Sequence, residues 1–159
     1  MHKALVATLA MAALAGCAEM EKMMGVEVKS KLVACPATKT AIGDVPSCGK
    51  VWKLESGSAE LKKDGDIEAE VKGLVLNDAS TGDSNGTADG VDGVAAAVVC
   101  GGPTAGKVAA QTDVVPLSKD GSAKVKAKVS VPSTCEAPII VLRERYQGKI
   151  GGWLATTKM

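Results

Sequence analysis

The chain has 159 residues, 46% hydrophobic and 23% charged, with a formal net charge of +1. That balance suits one ordinary globular domain and excludes a strongly basic or acidic tail protein. Two Trp, one Tyr and no Phe leave little for aromatic stacking, and a single histidine, His2, removes nearly every histidine-based catalyst.

The N-terminus carries the strongest signal. His2 and Lys3 give a positive start, and Ala4 to Ala15 follow as an apolar run broken only by Thr8. A helix needs roughly 20 apolar residues to span a bilayer core. This run is shorter and fits the h-region of a secretory signal peptide over residues 1–16. Leu14-Ala15-Gly16-Cys17 closes it. These four residues resemble the lipobox of bacterial lipoproteins: an aliphatic residue, a small residue, Gly or Ala, then Cys. The resemblance covers this segment alone. It implies that the Cys17 thiol carries a diacylglyceryl group, that the chain is cut before it, and that the new amine is acylated. Acyl chains contribute about 0.8 kcal/mol per buried CH₂, so two or three of them anchor a protein without a spanning helix. Ala18, rather than Asp, follows the cysteine. In the enteric sorting rule this resembles an outer-membrane destination rather than an inner one.

Loss of residues 1–16 takes His2 and Lys3 with it, so the 19 basic residues fall level with the 18 acidic ones. A neutral domain argues against nucleic acid, which requires a basic face, and against a polybasic grip on anionic lipid. The partners expected are the membrane, through the anchor, and another envelope protein. Four cysteines remain: Cys35, Cys48, Cys100 and Cys135. An even number in an exported domain reads as two disulfides. Three pairings are possible, and Cys35–Cys48 with Cys100–Cys135 is favoured because each encloses a local segment. A zinc site or a redox pair prefers the CxxC spacing, and every spacing here is wider. Cross-links also suit a core assembled from Val and Ala with few large side chains.

Residues 17–25 read as a lipidated tether, with Met20, Met23 and Met24 at helical spacing. Beyond it, residues 26–159 form the domain. Val26, Val28 and Leu32 interleave with Glu27, Lys29 and Lys31, which predicts a half-buried strand. Residues 51–55 are a second short candidate. Segments 61–75 and 117–131 resemble each other: Leu61/Leu117, Lys63/Lys119, Asp64/Asp120, Gly65/Gly121, Lys72/Lys128 and Val75/Val131 are identical. Each reads as a turn leading into a strand. Their polar faces carry opposite charge, with Asp66, Glu68 and Glu70 on one and Lys124, Lys126 and Lys128 on the other. Opposite charges across neighbouring strands attract, so the two strands are expected side by side, acid to lysine.

Residues 77–93 form a long polar loop. Residues 94–100 have no polar side chain and predict a strand buried on both faces, followed by a Gly-rich loop. Lys107 to Val115 is a strand ended by Pro116. Ile139 to Leu142 is central, and Ile150 to Thr157 closes the sheet with Trp153 in the core. Seven to nine short strands with frequent turns predict an all-β, antiparallel β-sandwich, with an immunoglobulin-like arrangement as one form of it and a small barrel as the alternative.

Candidate chemistry is thin. The polar loop offers Asp83, Asn85, Asp89 and Asp92 as calcium ligands, but no frame completes an EF-hand: starting at Asn85 the twelfth residue is Ala96, and starting at Asp83 the glycine position holds Ala88. The same residues serve as turn formers. Gly82 to Gly86 fits GxSxG without a following helical pattern or a histidine base. Ser47 to Lys50 fits SxxK, though Pro46 and Gly49 favour a loop. Gly101 to Lys107 has the spacing of a phosphate loop, with Val108 where Ser or Thr should hold magnesium. Arg143-Glu144-Arg145-Tyr146 is the densest charged cluster with an aromatic, and reads as a solvated hairpin end or a partner-binding loop.

No catalytic residue and no cofactor are implied. The leading expectation is a non-catalytic, lipid-anchored envelope lipoprotein whose β domain is structural or binds protein. The alternative is a small-ligand or calcium-binding lipoprotein using loop 77–93. The most remote is an enzyme with a non-histidine site, which would need a deep pocket holding a desolvated lysine or carboxylate.

Overall fold

A computed structural model describes residues 25–159. The expected leader, the lipobox and nearly all of the tether lie outside the described residues. Eleven strands follow in chain order: β1 Val28–Ala34, β2 Trp52–Lys53, β3 Ser56–Leu61, β4 Asp66–Lys72, β5 Val75–Leu76, β6 Val91–Cys100, β7 Lys107–Gln111, β8 Val115–Pro116, β9 Ala123–Lys128, β10 Ile139–Tyr146 and β11 Lys149–Thr157. A 3-10 segment, Ala79–Ser84, and one helical turn, α1 Gly102–Ala105, interrupt them. The fold is all-β and antiparallel, as expected, and the described strands exceed the expected seven to nine because three are only two residues long.

Nine strands join into one continuous sheet in the order β7-β6-β10-β11-β1-β3-β4-β9, with β8 added beside β6. Strand β1 is its corner. Val28–Lys31 pair with β3, and Leu32–Ala34 pair with β11 on the opposite edge. A strand that changes partner along its length bends the sheet at that point. At the far side, β8 and β6 both come beside β9, so the sheet curls into a half-barrel. Strands β2 and β5 form a separate two-stranded ribbon.

The alternation read from the sequence sets the burial. In β4, Ile67, Ala69 and Val71 are buried while Asp66, Glu68 and Glu70 face outward. Across the curl, Val94, Val98, Ile140, Leu142 and Leu154 meet them in one cluster. Strand β6 is buried from Val94 through Val99 on both faces, as its unbroken apolar run implies. Trp153 is buried too, with its indole N–H donating to the Thr40 carbonyl at 3.0 Å.

Both cross-links form in the favoured pairing. Cys35 and Cys48 have Cα atoms 6.2 Å apart, and Cys100 and Cys135 have theirs 5.0 Å apart. The loops they close, with separations of 13 and 35 residues, place each bridge in the range of roughly 3–4 kcal/mol. The segment inside the first bridge contributes Ile42 and Val45 to the core. It also binds main chain on two sides: Trp153 N–H donates to Pro46 O, and Gly43 N–H to Pro103 O.

The acid-to-lysine pairing of β4 and β9 is present in register. Asp66 lies opposite Lys128, Glu68 opposite Lys126 and Glu70 opposite Lys124. Lys124 Nζ is 2.9 Å from Glu68 and 3.8 Å from Glu70, and Lys128 Nζ is 3.0 Å from Asp66. Several details differ from the sequence reading. Strand β6 begins at Val91, inside the polar loop expected over residues 77–93. Residues 56–60 form a strand that their Ser-Gly-Ser start disguised. The 107–115 strand breaks after Gln111, where the buried Thr112 hydroxyl accepts from Ala96 N–H. The Gly101–Gly106 loop contains a helical turn.

Candidate functional site

The loop after β5 is stitched to the ribbon rather than standing free of it. Leu76 N–H donates to Thr87 O, Gly86 N–H to Leu76 O, and Asn77 N–H to Val51 O. Short side chains then close its turns. Asp78 caps the 3-10 segment by accepting from both the N–H and the hydroxyl of Ser80, at 3.0 and 2.6 Å. These bonds, the hydroxyl first, hold the Asp78 carboxyl below the usual range.

The calcium candidates are spent in the same manner. Asn85 accepts from Asp78 N–H at 3.0 Å, and Asp89 accepts from the Ser84 hydroxyl at 3.0 Å. Asp92 lies 3.8 Å from Arg145 Nε on β10. Asp83, which sits in the 3-10 segment, is not joined to them. Among the described residues, no group of three or more His, Cys, Asp or Glu side chains gathers in a way that could hold a metal.

The three catalytic patterns take other shapes. Ser84 of the GxSxG match lies in the 3-10 segment and donates to Asp89. Lys50 of the SxxK match reaches Ser80, at 3.1 Å, rather than Ser47. The phosphate-loop spacing is occupied by the single turn of α1.

A cleft of about 490 Å³ opens between this loop, β2 and the end of β10. Trp52, Leu76 and Val91 supply apolar lining, and Lys50, Asp89, Glu144 and Tyr146 supply the polar groups. Trp52 arrives through the β2–β5 pairing, opposite Leu76, and its N–H donates to Cys35 O. Glu144 and Tyr146 arrive because the Arg-Glu-Arg-Tyr cluster is, as expected, a hairpin end: it is the second half of β10, and the β10–β11 hairpin turns just after it at Gln147-Gly148. Alternate residues of a strand face opposite ways. Glu144 and Tyr146 therefore line the cleft, while Arg143 donates to Gly151 O and to Gln111 of β7.

Irregular pairing prepares the Glu144 position. The β10–β11 register shifts between Leu142 and Arg143 and again between Arg143 and Arg145, the second time opposite the Gly151-Gly152 pair. Bulges of this type re-aim side chains and collect at functional sites. A Cβ on Gly151 would stand 3.0 Å from Glu144 Oε1, so glycine leaves space for the carboxylate. Burial raises the Glu144 carboxyl above the ordinary glutamate range, opposed by one hydrogen bond from Gly152 N–H. Tyr146 stays 49% exposed and stands over Gly90, where a Cβ would come within 3.3 Å of its ring.

The sequence offers Lys50 in the SxxK match and Glu144 in the Arg-Glu-Arg-Tyr cluster, and nothing in it joins these two to Trp52 in a site. No local signal joins Glu144 to the other two, since Lys50 and Trp52 share one stretch of chain and Glu144 lies far along it.

A second surface is the outer face of β1, β3, β4 and β9. It carries Lys29, Glu60, the β4 acids and the β9 lysines in rows, with acids on the two middle strands and lysines on the outer two. Comparison of the chain with family models, curated proteins and solved structures gives no match.

Proposed function

We propose that this chain is an exported lipoprotein, held in the bacterial cell envelope by acyl chains on Cys17, whose β domain binds or braces another envelope protein and carries out no catalysis. The observation that carries this reading is Leu14-Ala15-Gly16-Cys17 behind a short apolar run. The pairing of all four remaining cysteines supports it, because disulfides persist in oxidising compartments. The outer membrane is the favoured destination on the strength of Ala18. The rows of acids and lysines on the outer sheet face suit a polar protein partner, with electrostatic complementarity setting register and encounter rate.

Intact-mass spectrometry of the protein from native membranes tests this reading. The expected species begins at Cys17, carries added acyl mass, and gains about four hydrogens on reduction. A chain that keeps Met1 and lacks acyl mass overturns it.

The cleft favours a second reading, a small-ligand-binding lipoprotein that uses the wall formed by loop 77–93. Its volume lies within the range of roughly 300–1,000 Å³ common for small-molecule sites.

A further inference from the structure

We propose that the cleft between β2, β10 and the loop after β5 binds an organic ammonium group, seated between the Glu144 carboxylate and the ring of Tyr146. The proposal deepens the small-ligand reading and does not depend on the lipid anchor.

Charge is the first argument. The cleft is lined by two carboxylates, Asp89 and Glu144, and one lysine, Lys50. Lys50 is engaged with Ser80, and Asp89 with Ser84. The neighbouring cations of β10 are directed elsewhere, Arg143 donating to Gly151 O and Gln111, and Arg145 facing Asp92 at 3.8 Å. Among the described residues, Glu144 is left with a backbone N–H from Gly152 and no basic side chain as partner. A carboxylate that is half withdrawn from water, and that no cation of the described residues neutralises, is matched by a cation from outside.

The ring is the second argument. The protein has three aromatic side chains. Trp153 is used in the core, and the other two, Trp52 and Tyr146, line this cleft with Glu144. Tyr146 is one of the few large apolar side chains left exposed. An aromatic face beside a carboxylate attracts ammonium through the ring quadrupole as well as through charge. A phosphate or carboxylate ligand would meet the reverse: two acids, and a lysine already bonded.

The third argument is construction. The register shifts opposite Gly151-Gly152 and the bare Gly90 beneath the ring each give up regular pairing or side-chain volume at this one place. Irregularities of that type persist where the surrounding fold gains a function from them.

The test is a titration of the full-length protein in an uncharged sugar-headgroup detergent at constant ionic strength. Calorimetry and amide chemical shifts are read against choline, Nα-acetyl-lysine methylamide and the neutral isostere 3,3-dimethylbutanol. Saturable binding of an ammonium probe with shifts at Glu144, Tyr146 and Gly90 is expected, and no saturation by the isostere. Preference for choline over the lysine probe assigns a small quaternary ligand, and the reverse preference assigns a lysine side chain of a peptide. Glu144→Gln is expected to weaken binding roughly tenfold. Tyr146→Ala should weaken it too, and Tyr146→Phe should retain it, with the thermal midpoint of each variant checking the fold. Equal binding by the isostere, an unchanged affinity in Glu144→Gln, or no saturable binding by either ammonium overturns the proposal. Any of these results leaves the mass measurement of the anchor untouched, and a missing anchor leaves this titration unaffected.

Discussion

In residues 61–75, and again in residues 117–131, a buried leucine, a turn ending in Asp-Gly and an alternating strand follow one another. The backbones match. Lys62 N–H donates to Asp66 O and Gly65 N–H to Lys62 O; Ser118 N–H donates to Ser122 O and Gly121 N–H to Ser118 O. Gly65 has φ 90° and Gly121 φ 84°. Each glycine carbonyl then accepts from the other unit, Gly65 from Val129 N–H and Gly121 from Leu74 N–H. The β4–β9 register is centred on the pair Ala69–Val125, which are equivalent positions of the two units. The units thus pair about a local two-fold axis.

Their difference lies in charge. About such an axis, each outward position faces a position of the same face in the other unit. Acids on both would set acid against acid along the whole ladder, at a cost. Acids on one and lysines on the other turn the same geometry into attraction. The Lys124–Glu68 hydrogen bond lowers the Glu68 carboxyl and raises the Lys124 ammonium, and Lys128 is raised in the same way by Asp66. Backbone sets the shape of the two units, and side-chain charge makes them partners.

The largest expected effect comes from the glycines. Gly65→Ala would bring a Cβ within 2.1 Å of Val129 O, and Gly121→Ala one within 2.4 Å of the Leu74 backbone, both at positive φ. Each should cost more than about 2 kcal/mol in urea unfolding, and the two losses should be similar. Tolerance at one site would show that the turns are not equivalent.

Charge reversal should act next. The double change Glu68→Lys with Glu70→Lys sets lysine against Lys126 and Lys124, and should lower the thermal midpoint by a few degrees. Adding Lys124→Glu and Lys126→Glu should restore it, and high salt should shrink the difference. Failure of the fourfold variant to recover would mean that the charges do not select the pairing.

The smallest effect is on pH dependence, and it separates this surface from the cleft. Glu68 is lowered in the folded state, so its contribution is present above the ordinary glutamate range and fades as pH falls through its folded value. Glu144 is raised, so its contribution is present below the ordinary range and is lost as pH rises through its folded value. Glu144→Gln should therefore be neutral or slightly stabilising near neutral pH, whereas Glu68→Gln should be slightly destabilising there. Thermal midpoints measured from acid to neutral pH distinguish the two.

Much of this was legible in the chain. Period-two alternation marks β1, β4 and β9, an unbroken apolar run marks the doubly buried β6, and opposite charges on two similar strands specify their pairing. Local spacing also selected the disulfide partners. These features rest on neighbours in sequence or on one-to-one complementarity, which a linear reading contains. The rest depends on distant segments meeting. The corner at β1 exists because one strand pairs with β3 on one edge and β11 on the other. The extension of β10 through Tyr146 is decided by partners on both sides that overrule its polar composition. The cleft depends on Trp52, Glu144 and Tyr146 meeting only when the sheet curls, and on bulges whose cost is set by pairing register. The sequence by itself determined the strands with clear alternation or an unbroken apolar run, their faces and the pairing of β4 with β9. Tertiary structure alone decided the half-barrel and the site, because burial and desolvation are properties of what lies opposite.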